Sequence, residues 1–231
     1  MRIMLVEEYL DKQHTFFIID NHPSRFKADS MAFLFDIPDS KILRKETKEV
    51  FAGKIVVPSF AHTRNTTTHW VDICHPVIIQ KINARAHERI KTRDHKPLYK
   101  KFILSRKGTS ERQILNADYL LNALPEGEFS IVDTSELPFE DQVLLFYNAE
   151  LVIATHGAGL TNIIFGRKLT VIELFPEDRK ITDQMVFVQL SEVLGFDHYL
   201  FTYPSFTNRQ DVMIDSSMIE KIQSVIRGTK N

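Results

Sequence analysis

An imidazole stands directly before two glycines spaced by one residue in Thr155-His156-Gly157-Ala158-Gly159. A histidine so placed can donate to a phosphate oxygen or shuttle a proton, and glycine lets backbone come close to a ligand. The turn follows a short apolar run, Leu151 to Ala154, and precedes Leu160-Thr161-Asn162, which reads as the start of a helix. At such a junction the unpaired N–H groups and the helix dipole favour an anion. Two arginines, Arg106 and Arg112, add planar forks suited to phosphate oxygens, each charge-assisted bond contributing roughly 1.5–3 kcal/mol. Glu173, read as closing the next strand, is placed to accept from ribose hydroxyls. These residues point to a phosphorylated, nucleotide-type ligand. A plainer reading stands beside it. Many strand-to-helix turns carry a glycine and bind nothing, and Arg112 could be a surface arginine paired with Glu111 or Asp133.

The elements that must position these groups follow from the pattern around them. The run 151–154 is too short for a helix and reads as a buried parallel strand, with 160–165 a helix and 170–175 the next strand. Upstream, 100–106 reads as a strand ending in Ser105-Arg106. A helix over 111–123 holds Arg112 and Asn116, a strand covers 128–133, and Pro138 opens a helix to about residue 148. Downstream come a helix over 182–194, a strand over 199–203 and a helix over 216–226. The alternation from Phe102 onward predicts one parallel sheet covered on both faces, with Arg106 and His156 on the same sheet edge.

Before residue 75 the units are fewer. A helix over 3–11, a strand over 15–20, a helix to about Phe35 capped by Asn21 or Ser24, and strands over 41–44 and 54–57 are expected. Residues 58–70 shift to Thr, Asn and His and read as a loop or domain junction, followed by a helix over 75–90. His69 has no second ligand at helical spacing, so a metal site is not supported.

Composition narrows the classes. A net charge of −1 argues against a general nucleic-acid binder, whose affinity comes from a basic surface. The single cysteine, Cys74, excludes an internal disulfide and a multi-cysteine metal centre. No stretch approaches the length of a membrane span and no cleavable leader is evident in MRIMLVEEYLDK, so a cytoplasmic location is the default expectation. A dehydrogenase-type GxGxxG should follow the first strand; here the turn comes late and lacks the third glycine.

The motifs also occur in a family order. Ser105-Arg106 with Arg112, Ile114 and Asn116 resembles the "SR…R.I.N" signature of glycosyltransferase family 61. Phe139-Glu140-Asp141-Gln142 resembles its "F.EQ" element, His156 through Asn162 with Phe165 its "HGAGLTN..F" core, and Val171, Glu173 and Pro176 its "V.E..P". The resemblance implies a GT-B-like α/β fold: a doubly wound parallel-sheet domain over 71–231 that binds the nucleotide sugar, and an α/β domain over 1–70 on the acceptor side. With only about three strands before the junction, that first domain is expected to be incomplete. The implied activity is inverting transfer of a sugar from a nucleotide-sugar donor to a hydroxyl of a glycan acceptor, without a cofactor or bound metal, as in polysaccharide biosynthesis. Carried over, Arg106 and Arg112 neutralise the diphosphate, His156, Gly157, Ala158, Gly159, Leu160, Thr161 and Asn162 cradle it, and Glu173 sits near ribose or base. The base for the acceptor hydroxyl is expected from the first domain, with His62 and His69 as candidates. The alternative is a non-catalytic or partner-dependent nucleotide-sugar-binding remnant. An apolar face left by missing strands would invite association, which leaves a homo-oligomer open.

Overall fold

The computed structural model describes residues 2–11, 13–19, 25–44, 56, 62–64, 71–74, 76–91, 99–106, 109–179 and 185–229. Its frame is a five-stranded, wholly parallel sheet of β5 (Lys101–Leu104), β6 (Ser130–Val132), β7 (Leu151–Thr155), β8 (Thr170–Pro176) and β9 (Asp197–Tyr203), in the order β6-β5-β7-β8-β9. Preceding them are β1 (Phe17–Ile19), α1 (Phe26–Phe35), β2 (Ile42–Arg44), β3 (His62–Arg64), β4 (Val71–Cys74) and α2 (Pro76–Lys91). Between and after the sheet strands lie α3 (Ala117–Asn122), α4 (Phe139–Asn148), α5 (Met185–Leu194) and α6 (Ser216–Gly228).

β7 and β8 are buried at every position, which is why their sequences are continuous apolar runs rather than alternating ones. Successive residues still face opposite layers. Phe102, Leu104, Val152, Ala154 and Val171 belong to the core that holds α1, α2, α4 and α5. Ile103, Leu151, Ile153, Ile172 and Leu174 belong to the core under α6, with Leu120 of α3. Helices therefore cover both faces, as the alternation required. α6 shows the local logic most simply. Asp215 accepts from the Met218 N–H at 2.8 Å as an N-cap, and Met218, Ile219, Ile222, Val225 and Ile226 form its buried stripe.

From β5 the chain moves one way to β6, then back past β5 to β7. The order therefore reverses between β5 and β7, and a crevice at such a reversal, outside the carboxyl ends of the strands, is where open α/β sheets take ligands.

The remaining strands form a parallel pair, β1 with β2, and an antiparallel pair, β3 with β4. α1 is buried at Ala28, Met31, Phe33, Leu34 and Phe35 and contributes to the same core as the large sheet. Phe26 and Phe33 meet Phe139 edge-on at 5.0 and 5.8 Å. Ion pairs pin this region to α2: Arg85 to Glu7 at 2.6 Å, and Arg89 to Asp36 just past the end of α1. Among the described residues no helix is long and apolar enough to cross a membrane.

Several local expectations change. Residues 3–11 form two 3-10 turns, Arg2–Leu5 and Glu7–Tyr9, rather than one helix. The helix expected over 111–123 shrinks to α3, because residues 112–115 spend their backbone groups on the segment 209–212. Arg112 N–H donates to Arg209 O, Leu115 N–H to Val212 O, and Val212 N–H to Gln113 O. His62–Arg64, expected within a loop, is strand β3. The helix after β7 is a 3-10 helix over Ala158–Phe165. The candidate caps Asn21 and Ser24 lie outside the described residues, as do all of the expected strand 54–57 except Val56 and the junction around residue 70.

Candidate functional site

At the reversal point the ends of β5 and β7 bring Arg106 against Gly157. A Cβ built on Gly157 would lie 1.8 Å from Nη1 and 2.7 Å from Cζ of Arg106, so no other residue leaves room for this guanidinium. The backbone angles of Gly157 are extended (φ 163°, ψ 174°), which any residue adopts. The glycine is needed here for close approach, and what approaches is the Arg106 guanidinium. Gly159 is likewise a packing position, where a Cβ would lie 2.9 Å from Cδ2 of Leu104.

Arg106 donates from Nε to the carbonyl of Glu111 at 3.1 Å and makes no ion pair among the described residues. The nearby carboxylate of Asp133 is already committed, accepting from the N–H and hydroxyl of Ser135 at 2.9 and 2.6 Å. Burial, and then the positive charge of Arg112, lower the Arg106 pKa from its ordinary value. Two guanidinium groups thus face each other's field, offset in part by the Glu111 carboxylate, a state that an incoming dianion relieves further.

Arg112 was expected early in a helix. Instead it sits in the loop, in the left-handed region with φ 55°, a conformation that costs a non-glycine residue roughly 1–2 kcal/mol. Flanking bonds hold it there: its N–H donates to Arg209 O at 3.0 Å, and its carbonyl accepts from Thr155 Oγ1 at 2.6 Å. Its Nη1 meets Glu111 at 3.0 Å with the side chain only 14% exposed, so part of the surface-pair reading holds. Its Nε is buried and has no hydrogen-bond partner among the described residues. Burial pushes the neighbouring Tyr203 phenol up, and its hydroxyl donates to Gln210 O at 2.8 Å. It is a neutral neighbour of the arginines, not a counter-ion.

The 3-10 helix presents its open end to this crevice. Its first backbone bond runs from Leu160 N–H to Gly157 O at 2.9 Å, leaving the N–H groups of Ala158 and Gly159 ahead of it. Leu160 itself is fully buried in the core, so neither its side chain nor its N–H belongs to the cradle as expected. Ala158, Gly159, Thr161 and Asn162 line a cavity of about 550 Å³ shared with Arg106 and with Arg25 and Phe26 at the start of α1. In its wall Gln142 Nε2 donates to Leu137 O at 3.0 Å, which turns its Oε1 toward Asn162 Nδ2 at 2.9 Å. Asn162 Oδ1 is left buried and unpartnered among the described residues.

α2 seats the other end of this helix. Asn83 Nδ2 donates to Ile164 O and Gly166 O at 2.7 and 2.8 Å. His87 Nε2 donates to Phe165 O and Gly166 O at 2.9 and 3.1 Å. These clamps were not foreseen; the i, i+4 spacing of two polar side chains on one helix face was the available signal.

Glu173 lies within β8 rather than at its end, is completely buried, and has both carboxylate oxygens taken. His156 Nδ1 meets Oε1 at 2.5 Å and His198 Nε2 meets Oε2 at 2.9 Å. A contact from Glu173 to ribose or base, as expected from the sequence, is therefore closed off. His156 is 7% exposed, with Phe175 and Phe187 against its ring at 4.8 and 5.2 Å. Of the two base candidates, His62 is placed only by backbone, opposite Cys74 in β3–β4, and His69 lies outside the described residues. Among the described residues no group of His, Cys, Asp or Glu is arranged to hold a metal.

Comparison with known proteins matches residues 4–172 to the family model described as Glycosyltransferase 61. The chain is 35% identical over 115 residues to the mouse (Mus musculus) EGF domain-specific O-linked N-acetylglucosamine transferase, covering 47% of this chain and 21% of that protein. It is 40% identical over 85 residues to the dog (Canis lupus familiaris) protein O-linked-mannose beta-1,4-N-acetylglucosaminyltransferase 2, covering 35% of this chain and 14% of that protein. The chain thus matches about a fifth or less of the length of these curated relatives. The matched stretch runs through the crevice, from the strand that delivers Arg106 to the helix that follows Gly157, and on it the chain belongs to the glycosyltransferase 61 family.

Proposed function

We propose that the crevice between β5 and β7 binds the diphosphate of a nucleotide-sugar donor, and that the chain transfers the sugar, with inversion, to a hydroxyl of a glycan acceptor. The observation that carries this reading is the Arg106 guanidinium seated on Gly157, desolvated, beside Arg112 and without an ion-pair partner among the described residues. In such a transfer negative charge grows on the departing diphosphate, and pre-placed donors lower the barrier by stabilising that charge. Arg106, Arg112, the N–H groups of Ala158 and Gly159, and Thr161 supply them. On this reading the arginines provide the counter-charge, so no metal is required, and the cavity toward α1 receives the remainder of the donor. The acceptor lies across a GT-B-like cleft on the side of residues 1–70, where His62 or His69 takes the hydroxyl proton. Both relatives' names carry N-acetylglucosamine, which makes it the first donor sugar to assay.

The experiment is calorimetric titration with ADP, CDP, GDP and UDP, then with the corresponding N-acetylglucosamine donors, on the chain and on Arg106→Ala. Micromolar binding of one nucleotide, lost in the variant, and turnover with a glycan acceptor is the expected result. Binding without turnover assigns a donor-binding module instead. No binding by the folded chain overturns the reading.

A further inference from the structure

A chain of buried polar groups runs under α5 from the loop at His156, away from the cavity. Ser191 on α5 and Glu173 on β8 are completely buried, and the His198 side chain on β9 is 4% exposed. Ser191 Oγ lies 2.8 Å from His198 Nδ1, His198 Nε2 lies 2.9 Å from Glu173 Oε2, and Glu173 Oε1 lies 2.5 Å from His156 Nδ1. A carboxylate only accepts, so each imidazole directs an N–H at it: His156 from Nδ1, His198 from Nε2. His198 Nδ1 then accepts from the Ser191 hydroxyl. The two histidines sit in opposite orientations around one carboxylate, and the side-chain polar atoms of Ser191, His198 and Glu173 are all satisfied. Nothing in the diphosphate site needs Ser191 or His198, and an apolar core would be simpler under α5. What the chain does is fix one ring. Glu173 cannot rotate while His198 holds its second oxygen, and Phe175 and Phe187 prevent the His156 ring from turning over. His156 Nε2, which makes no hydrogen bond among the described residues, is the one ring atom left for a ligand.

We propose, on the donor-site reading above, that Ser191, His198 and Glu173 are positioning residues that hold His156 so that it meets the diphosphate only through Nε2. A histidine's working nitrogen is set by the bond its other nitrogen makes, and here that bond is itself secured two residues deeper. The function of the chain lies in the orientation of His156, with no direct contact between Glu173, His198 or Ser191 and the donor.

Side-chain nitrogen NMR of the unliganded full chain tests the arrangement directly. The expected spectrum has His156 protonated at Nδ1 and His198 protonated at Nε2; a His156 with bare Nδ1 overturns the proposal. In Glu173→Gln the carboxamide accepts from one imidazole and must donate to the other, so one histidine moves its proton to the opposite nitrogen. Affinity for the best-binding nucleoside diphosphate is then measured for Glu173→Gln, His198→Asn and Ser191→Ala, each checked for cooperative thermal unfolding. Folded Glu173→Gln and His198→Asn are expected to bind about tenfold more weakly, the size of one weakened charge-assisted hydrogen bond. Ser191→Ala is expected to bind more weakly by a smaller factor. Unchanged affinity in folded variants overturns the positioning role alone. Absence of nucleotide binding by the wild type overturns the donor site and the positioning role together, while the nitrogen spectrum still decides the hydrogen-bond pattern.

Discussion

Arg106 occupies space that a single methyl group on Gly157 would remove, and this makes Gly157→Ala a sharper probe than deleting the arginine. The displaced atoms are the far end of a flexible side chain, so stability should stay within about 0.5 kcal/mol of wild type. Nucleotide-diphosphate affinity, read by calorimetry, should fall at least about tenfold, since one charge-assisted bond or more is lost. Retained affinity would show that the guanidinium seat is not the binding geometry. Arg106→Lys asks a different question. It keeps the charge but not the fork, and on the bidentate reading it should lose roughly 1.5 kcal/mol or more of binding; equal affinity would reduce Arg106 to a point charge. The residue types gathered here were legible in the sequence: Arg106 meets Gly157, Gly159 lines the cavity, and Arg112 lies within the field of Arg106. Their duties were not. Glu173 turned from ligand contact to buried anchor, because a strand covered on both faces cannot present a mid-strand side chain to solvent.

The 3-10 helix Ala158–Phe165 is an element held by its neighbours. Runs of this geometry longer than three or four residues are uncommon because the hydrogen bonds are poorer, and here Asn83 and His87 on α2 clamp the last carbonyls. Asn83→Ala strands the Ile164 carbonyl and leaves Gly166 O to His87 alone. It should cost about 1–3 kcal/mol in urea unfolding, and a smaller change would show that the helix holds without the clamp. Burial lowers the His87 pKa from its ordinary value of 6.5. In the window between that lowered value and 6.5 the unfolded chain takes up a proton the native chain does not. The His87 contribution is therefore complete above about pH 6.5 and is lost as pH falls through the native value. Unfolding midpoints of wild type and His87→Gln, compared at pH 7.5 and pH 5, should show the smaller acid loss in the variant; parallel losses would remove His87 as the cause. Propensity and period located the helices and strands of the large sheet to within a few residues. They failed at 111–116, where backbone bonds to 209–212, nearly a hundred positions away, overrode a locally helical pattern.

For the molecule as a whole, Phe139 is the join. Its ring meets Phe26 and Phe33 of α1 and lies 5.7 Å from Phe165 at the end of the 3-10 helix, so one side chain ties the first helix, α4 and the site helix together. Phe139→Ala should cost about 3–5 kcal/mol and expose α1 to protease while the large sheet remains folded. Uniform resistance along the chain would mean that α1 is held by its ion pairs to α2 instead. Because Phe26 and Phe139 also line the cavity beside Arg106, the same variant should weaken binding of a whole nucleotide sugar more than that of its bare diphosphate.

The sequence by itself determined the alternation of strands and helices, the parallel sheet that alternation demands, the order of motifs that marks the family, and the residue types of Arg106, Arg112 and His156 on which the proposed phosphate site rests. Those properties are local: they depend on residue type, on periods of two and 3.6, and on neighbours a few positions away. Tertiary structure decided what no local window contains. It placed Gly157 under Arg106, converted Arg112 from a helix residue to a left-handed loop residue, buried Glu173, and brought His198 and Ser191 behind His156 from strands and helices with no motif of their own. Each of these outcomes depends on which strands lie side by side and which face each helix covers. In a sheet whose strand order reverses, that adjacency is set by packing across the whole core rather than by position along the chain.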